Sequence, residues 1–336
     1  MNSPVPSDCI TEVLDEAGLV YTGDNSPGIR RIRKGEGFSY VRPNGAPVSD
    51  EKTLARIRAL AIPPAYKDVW ICVKANGHLQ ATGKDARGRK QYRYHPDFRA
   101  ARDSAKFDRL ADFGTCLPRV HRQLDKDLSS RGLPKEKVLA TIVDLLERSL
   151  IRVGNAQYAQ ENQHFGLTTL RNRHVKVERA EVKFHFVGKS GIKHQIALQD
   201  RKLARIVRRL QDLPGQELFQ YLGEDGQPHR VTSGDVNDYL KSVTGQEFTA
   251  KDFRTWVASV RALETLAARK PPETKREAKA AINETIKAVA QELGNTPTVC
   301  RKCYIHPAVL SAFEEGKLPR RRKPERVLIS ILKEGP

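Results

Sequence analysis

The sequence lacks the features that would assign it to several large classes of protein. It has no run of eighteen apolar residues, so no membrane-spanning helix is expected. It has no Walker-type glycine loop, paired metal-binding carboxylate motif or serine elbow, which gives little support to hydrolysis driven by a nucleotide or a metal. The five cysteines are odd in number and scattered, and the first residues lack the basic end and apolar stretch of a signal peptide. We therefore expect a protein of a reducing cytoplasm.

What the sequence has in excess is positive charge. Its 336 residues include 59 Lys and Arg against 40 Asp and Glu, which gives a net charge of +19. Hydrophobic residues make up 39% of the chain, enough for a packed core in each of two domains. A globular protein with this charge is expected to bind a polyanion, and nucleic acid is the first candidate.

The first third of the chain is expected to be rich in strands. Short segments are broken by Pro-Gly, Gly-Glu-Gly and Pro-Asn-Gly, and a strand-forming run over residues 68–74 leads to Asn76 and Gly77, a pair typical of a hairpin turn. Charged, mixed sequence follows and contains a break at Gly114. We predict a β-rich, DNA-binding domain over residues 1–110.

Helices are predicted for most of the rest. After residue 134 the apolar residues recur at intervals of three and four, the spacing of a helix with one buried side. The exception is residues 168–198, where apolar residues alternate from Val182 onward on both sides of Gly-Lys-Ser-Gly, which predicts a hairpin with Lys189 at its tip. Further helix starts are predicted at Ser233, at Thr249 with its capping partner Asp252, and at Thr296 with Pro297.

Four short motifs place basic or aromatic side chains beside turns and helix ends. They are Ile151-Arg-Val-Gly154, Val187-Gly-Lys-Ser190, Lys251-Asp-Phe-Arg-Thr-Trp256 and Cys300-Arg-Lys-Cys-Tyr-Ile-His-Pro307. Taken singly, they indicate solvated helix faces, an exposed turn and a half-buried aromatic. In this order, with 37 residues from Arg152 to Lys189 and 50 from Arg254 to Tyr304, the motifs together resemble type IB DNA topoisomerases, above all the small viral and bacterial members.

The resemblance extends from about residue 20 to residue 315 and implies roles for five residues. In that family one arginine follows a long helix, a lysine sits in a hairpin turn, a second arginine lies in a motif like Lys-Asp-Phe-Arg-Thr-Trp, and a tyrosine precedes Ile-His-Pro. A fifth position, nine residues before the tyrosine, is histidine in many relatives. The corresponding residues here are Arg152, Lys189, Arg254, Tyr304 and, in place of the histidine, Asn295, whose amide N–H can still donate to a phosphate oxygen.

The chemistry explains why these residue types are needed. The planar guanidinium groups of Arg152 and Arg254 match the charge on the non-bridging oxygens of a phosphodiester that is attacked in line. Lys189 would protonate the leaving 5′ oxygen as general acid. Tyr304 would form a covalent 3′-phosphotyrosine, which keeps the energy of the broken bond, so that the strand is resealed without ATP or metal. We therefore expect no cofactor and no bound metal.

The resemblance also implies a DNA-binding surface. The segment Lys84–Tyr94 is rich in arginine with interleaved aromatics, a composition suited to phosphates and base edges. In the family the matching stretch of the amino-terminal domain meets the major groove. The positions that match DNA-facing or site-neighbouring residues are Gln91, Tyr92, Tyr94, Tyr158 and Lys251.

Three other features receive simpler interpretations. Cys300 and Cys303 have no second cysteine pair nearby and are interpreted as helix-packing thiols rather than a zinc or redox site. His306, before Pro307, is expected to cap the next helix. The basic residues over 317–336 predict a nonspecific phosphate-binding tail.

Two other functions compete with this interpretation. Tyrosine recombinases resemble the same layout of two arginines, a lysine and a tyrosine, but usually carry His-x-x-Arg at the second arginine, where this chain has Lys251-Asp-Phe-Arg254. A noncatalytic architectural DNA-binding protein would explain the charge of +19 without any nucleophile.

The sequence therefore leads to the following expectations. The fold class is α+β, with a small β-rich lobe and a mostly helical catalytic lobe over residues 111–316 that holds a short antiparallel sheet, the two closing around DNA as a C-shaped clamp. The function is relaxation of supercoiled duplex DNA by a type IB topoisomerase. The partner is double-stranded DNA, preferably supercoiled. We expect a monomer that works in the cytoplasm, associated with a bacterial nucleoid, and not at a membrane.

Overall fold

A computed structural model describes residue 14 and residues 17–99, 107–319 and 323–334, and the side chains of residues 157, 158 and 161 lie outside that description. The contacts within the chain form two compact units, residues 1–108 and 109–336. The described elements are antiparallel strands and helices, as expected of an α+β protein.

The first unit contains an antiparallel five-stranded sheet in the order β2-β1-β3-β4-β5. Its strands are β1 (Ile29–Lys34), β2 (Gly37–Val41), β3 (Lys67–Ile71), β4 (Leu79–Lys84) and β5 (Lys90–Tyr94). Strands β3 and β4 pair with Trp70 opposite Thr82, which confirms the hairpin predicted around Asn76 and Gly77. Helix α1 (Glu51–Ala59) is capped by Asp50 and buries Ile57 in the core of this sheet.

The second unit is mostly helical and has one large core. Its helices are α2 (Leu110–Ser129), α3 (Lys135–Ser149), α4 (Ala156–Asn162), α5 (Arg201–Gln211), α6 (Ser233–Thr244), α7 (Ala250–Ala267), α8 (Lys275–Leu293), α9 (Pro297–Cys303), α10 (Pro307–Glu314) and α11 (Pro324–Glu334). The helix starts predicted at Ser233, at Thr249 with Asp252, and at Thr296 with Pro297 are confirmed.

Two small antiparallel sheets accompany these helices. The strands are β6 (Val175–Glu178), β7 (Glu181–Val187) and β8 (Lys193–Gln199) in one sheet, and β9 (Gln220–Leu222) and β10 (Pro228–Arg230) in the other. The β7–β8 hairpin confirms the alternation seen in the sequence, with Lys189 in the connecting turn. The sequence did not indicate β6, β9 or β10, which are too short for a clear alternation.

Gly114 does not break the chain as predicted but lies inside α2. A Cβ at this position would stand 2.2 Å from Cη2 of Trp256, whose indole is buried from α7. Phe113 makes edge-to-face contacts with Phe253 and Phe248 beside it. The glycine is therefore explained by the close approach of α7 and not by a turn.

The segment predicted as a basic tail also differs from expectation. Residues 324–334 form α11, which packs against α2 and α7 and belongs to the second unit. Val327, Leu328 and Ile331 share one buried face at the spacing of a helix, a pattern that the run of basic residues before it obscured. Arg320, Arg321 and Arg322 of that run lie outside the described residues.

Gly114→Ala tests the packing of α2 on α7. Alanine favours a helix by up to about 1 kcal/mol over glycine, but overpacking a core costs about 1–3 kcal/mol. We expect the free energy of unfolding to fall by about 1 kcal/mol, measured by urea denaturation. Gly234→Ala in α6 is the matched control, because its methyl group would make only an ordinary 3.5 Å contact with Thr232 Oγ1. A Gly114→Ala protein as stable as the control would contradict this account.

Candidate active site

Arg254 is the most deeply buried charged residue of the predicted site, with 4% of its surface exposed. It lies in the second turn of α7, whose start is fixed by a capping box between Thr249 and Asp252. Its Nη1 donates to the carbonyl oxygen of Leu150. Its Nη2 donates to the carbonyl oxygen of Leu293 at 2.8 Å. These carbonyls end α3 and α8, so the partial negative charges of two helix C-termini face one guanidinium.

The burial of this charge is only partly compensated. Burial, followed by the neighbouring positive charge of Arg152, lowers the pKa of Arg254 below its ordinary value, although a guanidinium stays protonated at neutral pH. Its Nε atom is buried and has no hydrogen-bond partner. A buried donor of this kind is costly, and an anionic acceptor would satisfy it.

Arg152 follows α3 directly. Leu150 ends that helix in the left-handed conformation, with φ of 56°, and turns the chain toward Arg254. The backbone around Arg152 is held by Leu167, whose N–H donates to the Arg152 carbonyl oxygen at 2.9 Å. A Cβ on Gly166 would stand 2.6 Å from that same oxygen, so only glycine allows the two segments to come this close.

Asn295 lies at the corresponding place after α8. Gly294 ends the helix with φ of 59°, and the next side chain turns toward Arg152, whose Nη2 donates to Asn295 Oδ1 at 2.7 Å. This bond engages the oxygen of the amide and leaves its Nδ2 atom as the remaining donor. That atom is buried and, like Nε of Arg254, has no hydrogen-bond partner. The amide thus keeps one donor without a partner, and its predicted bond to a phosphate oxygen stays a prediction.

Tyr304 ends α9 and stands beside the same guanidinium. The Cζ atom of Arg254 lies 5.3 Å from the centre of the Tyr304 ring. The tyrosine is half-buried and therefore not sealed inside the core. Its backbone is fixed from α7, since Ser259 Oγ donates to the Tyr304 carbonyl oxygen at 3.2 Å and accepts from His306 N at 3.0 Å. No sequence motif singles out Ser259, a serine on the buried side of a helix.

Lys189 is exposed in the turn between β7 and β8. The turn is closed by Gly188 N, which donates to the Ile192 carbonyl oxygen at 2.8 Å. His194 at the start of β8 lies between this turn and the segment that leads to Asn295, since a Cβ on Gly188 would stand 2.6 Å from its Nε2 and a Cβ on Gly294 3.1 Å from its Cε1. The structure therefore brings Arg152, Arg254, Asn295 and Tyr304 together, with the turn that carries Lys189 beside them.

Three predicted DNA contacts lie on β5, an edge strand of the first unit. Tyr92 is 46% exposed, and its ring stacks on that of Tyr94 with the centroids 6.2 Å apart. Tyr94 also packs against Phe98. Gln91 alternates with these tyrosines along the strand, and its amide donates to Asp85 at 3.0 Å. The exposed ring of Tyr92 thus rests on a partly buried Tyr94.

The other two predicted DNA contacts belong to the second unit. Lys251 is exposed in the first turn of α7, three residues before Arg254. The side chain of Tyr158 lies outside the described residues.

The neighbours of Tyr304 have structural roles. Cys300 is fully buried, and burial raises the pKa of its thiol to about 11, which keeps it protonated at neutral pH. His306 caps α10, as predicted, through Nδ1, which accepts from Ala308 N at 3.1 Å.

Within the described ranges, no three His, Cys, Asp or Glu residues are grouped so that they could hold a metal ion. None of the described helices is long and apolar enough to cross a membrane.

Comparison with known proteins identifies the family to which the chain belongs. Residues 95–325 match the family described as eukaryotic DNA topoisomerase I, catalytic core, and residues 37–85 match the amino-terminal domain of bacterial DNA topoisomerase IB. DNA topoisomerase 1B of Acanthamoeba polyphaga mimivirus is 32% identical over 296 residues, which cover 86% of this chain and 88% of that protein. DNA topoisomerase I of Monkeypox virus is 26% identical, and DNA topoisomerase 1B of Vaccinia virus (strain Copenhagen) is 25% identical, each over 80% of this chain and 85% of the relative. The chain belongs to the type IB DNA topoisomerases.

Proposed function

We propose that this topoisomerase relaxes supercoiled duplex DNA by using the phenol oxygen of Tyr304 to cut one strand. The observation that carries the residue assignments is the pair of buried, unpartnered donors, Arg254 Nε and Asn295 Nδ2, in the cluster beside that tyrosine. Buried donors without partners are rare in folded proteins. A phosphate oxygen is a hydrogen-bond acceptor and carries negative charge, so it would satisfy both donors and oppose the positive charge of the cluster.

The residues divide the work of cleavage between them. Tyr304 loses its phenol proton to solvent as Oη bonds to phosphorus, and charge accumulates on the non-bridging oxygens, which Arg152, Arg254 and Asn295 bind. Lys189 gives a proton to the 5′ oxygen as the bond from phosphorus to that oxygen breaks. The phosphotyrosine keeps the bond energy, so rotation of the free end removes supercoils before the 5′ hydroxyl attacks and restores the strand. No step uses ATP or a metal ion.

The remaining assignments concern the duplex. Tyr92 and Tyr94 of the first unit, with Gln91, would contact bases in the major groove, and Lys251 and Tyr158 would contact DNA near the cut. The two units would close around the duplex as a C-shaped clamp, and a monomer would suffice because one chain carries all five catalytic residues. Supercoiled DNA is the preferred substrate, and the bacterial nucleoid is the proposed location.

Tyr304→Phe tests the nucleophile. We expect no relaxation of plasmid in EDTA and no covalent adduct on a nicked duplex, while binding to DNA is retained, because the ring stays beside Arg254 and only the attacking oxygen is lost. Tyr221→Phe is the matched control and should keep full activity. Peptide mapping of the wild-type adduct identifies the residue directly. A Tyr304→Phe protein that still relaxes plasmid refutes the assignment of the nucleophile. A wild-type protein that shifts plasmid mobility but leaves the linking number unchanged would favour a noncatalytic architectural protein.

Asn295 variants test the role of the amide donor. Asn295→Ala removes the donor and should slow single-turnover cleavage by about 10²-fold, the usual effect of losing one donor to a developing oxyanion. Asn295→Asp keeps an acceptor for Arg152 but places negative charge beside the phosphate, so its cleavage should be slower still. Asn295→His restores a donor and should be the fastest of the three. An Asn295→Asp protein faster than Asn295→Ala would show that the amide does not donate to the phosphate.

Salt dependence tests the electrostatic clamp. Each neutralised phosphate contributes about −0.9 to the slope of log affinity against log salt concentration, so about six contacts weaken binding roughly 10³-fold between 50 and 200 mM salt. The Tyr304→Phe protein is suited to this measurement because its binding stays reversible. An affinity that stays flat across this range would contradict the clamp.

A further inference from the structure

His194 lies on β8 at the base of the hairpin that carries Lys189. It is paired across the sheet with Phe186 on β7, and the two rings stack with their centroids 4.9 Å apart and 16° between their planes. The imidazole is half-buried. Phe186 therefore fixes the plane in which this ring stands.

One edge of the ring touches the backbone that leads into Lys189. A Cβ on Gly188 would stand 2.6 Å from Nε2 of His194, closer than side-chain atoms approach in proteins. Gly188 has φ of −95°, a conformation open to any residue. Glycine is thus required here by the imidazole and not by the backbone conformation.

The same ring also touches the segment that leads into Asn295. A Cβ on Gly294 would stand 3.1 Å from Cε1 of His194. Burial, followed by the charges of Arg152 and Arg254, lowers the pKa of His194, so the ring is neutral at neutral pH and adds no charge to the cluster. The neutral imidazole of His194 thus lies between the segment that leads to Lys189 and the segment that leads to Asn295.

We propose that His194 is a positioning residue that holds the Lys189 turn against the Gly294–Asn295 segment, so that the lysine reaches the leaving 5′ oxygen. The inference rests on the proposed role of Lys189 as general acid. In that step the Tyr304 phenol loses its proton to solvent as its oxygen bonds to phosphorus, the bond from phosphorus to the 5′ oxygen breaks, and the Lys189 ammonium gives its proton to that oxygen. Resealing reverses each of these transfers. His194 touches no substrate atom and exchanges no proton.

The chemical signature of such a role is a defect that depends on the leaving group. A duplex with sulfur in place of the bridging 5′ oxygen leaves as a thiolate, and a thiol with a pKa of about 8.5 needs no general acid. His194→Ala should slow single-turnover cleavage of the ordinary duplex by about 10- to 100-fold, a part of the roughly 10²- to 10⁴-fold that a general acid contributes. On the sulfur duplex its rate should lie within about threefold of wild type, by the same reasoning.

A double-mutant cycle tests the contact itself. Gly188→Ala should slow cleavage of the ordinary duplex, since its methyl group would overlap the imidazole and displace the turn. In the His194→Ala background the same substitution should cost less than about twofold, because the overlapping ring is gone. Gly188→Ala also provides an independent perturbation if His194→Ala fails to fold. Additive losses would overturn the proposed contact.

Controls separate the inference from the proposed function. His185→Ala removes an exposed histidine from the same hairpin and should leave both duplexes cleaved at the wild-type rate. Lys189→Ala should be rescued by the sulfur duplex. Rescue of Lys189→Ala without rescue of His194→Ala, or normal cleavage of the ordinary duplex by His194→Ala, overturns the inference alone. Failure of the sulfur duplex to rescue Lys189→Ala overturns the acid assignment and the inference with it.

Discussion

The organisation of the site depends on one buried guanidinium. Arg254 donates to Leu150 and Leu293, the carbonyls at which α3 and α8 end, and Arg152 and Asn295 each follow two residues later. The same interaction therefore compensates the charge of Arg254 and fixes the starting points of two segments that come from distant parts of the sequence. Removing the guanidinium would free both helix ends together.

The site also contains interactions that destabilise the free protein. Arg152 and Arg254 lie close enough that the charge of one lowers the pKa of the other, and two buried donors face no acceptor. Folding has to offset this repulsion with the apolar core of the second unit. A bound phosphate would supply the missing acceptors and the opposing charge, so the features that destabilise the free protein are those that favour the anion.

The sequence predicts the parts of this structure that depend on local pattern. Alternation and helix caps indicated the β7–β8 hairpin and the starts of α6, α7 and α9. The order of the motifs indicated that Arg152, Arg254 and Tyr304 belong to one site. Gly114 and α11 were misjudged because their explanation lies in distant contacts, an indole from α7 in one case and a shared core in the other. His194 and Ser259 carry no local signal, since an alternating strand and a buried helix face are sufficient explanations for them.

The packing of α11 has a consequence for how the second unit folds. This helix contacts α2, which begins the unit, and α7, which carries Arg254, so its buried face joins stretches of chain separated by almost the whole length of the unit. Such non-local closure is slow, because the entropy of a long loop is lost before the contact forms. Because Val327, Leu328 and Ile331 belong to the same core as the helices around the guanidinium, that core is complete only after α11 has docked.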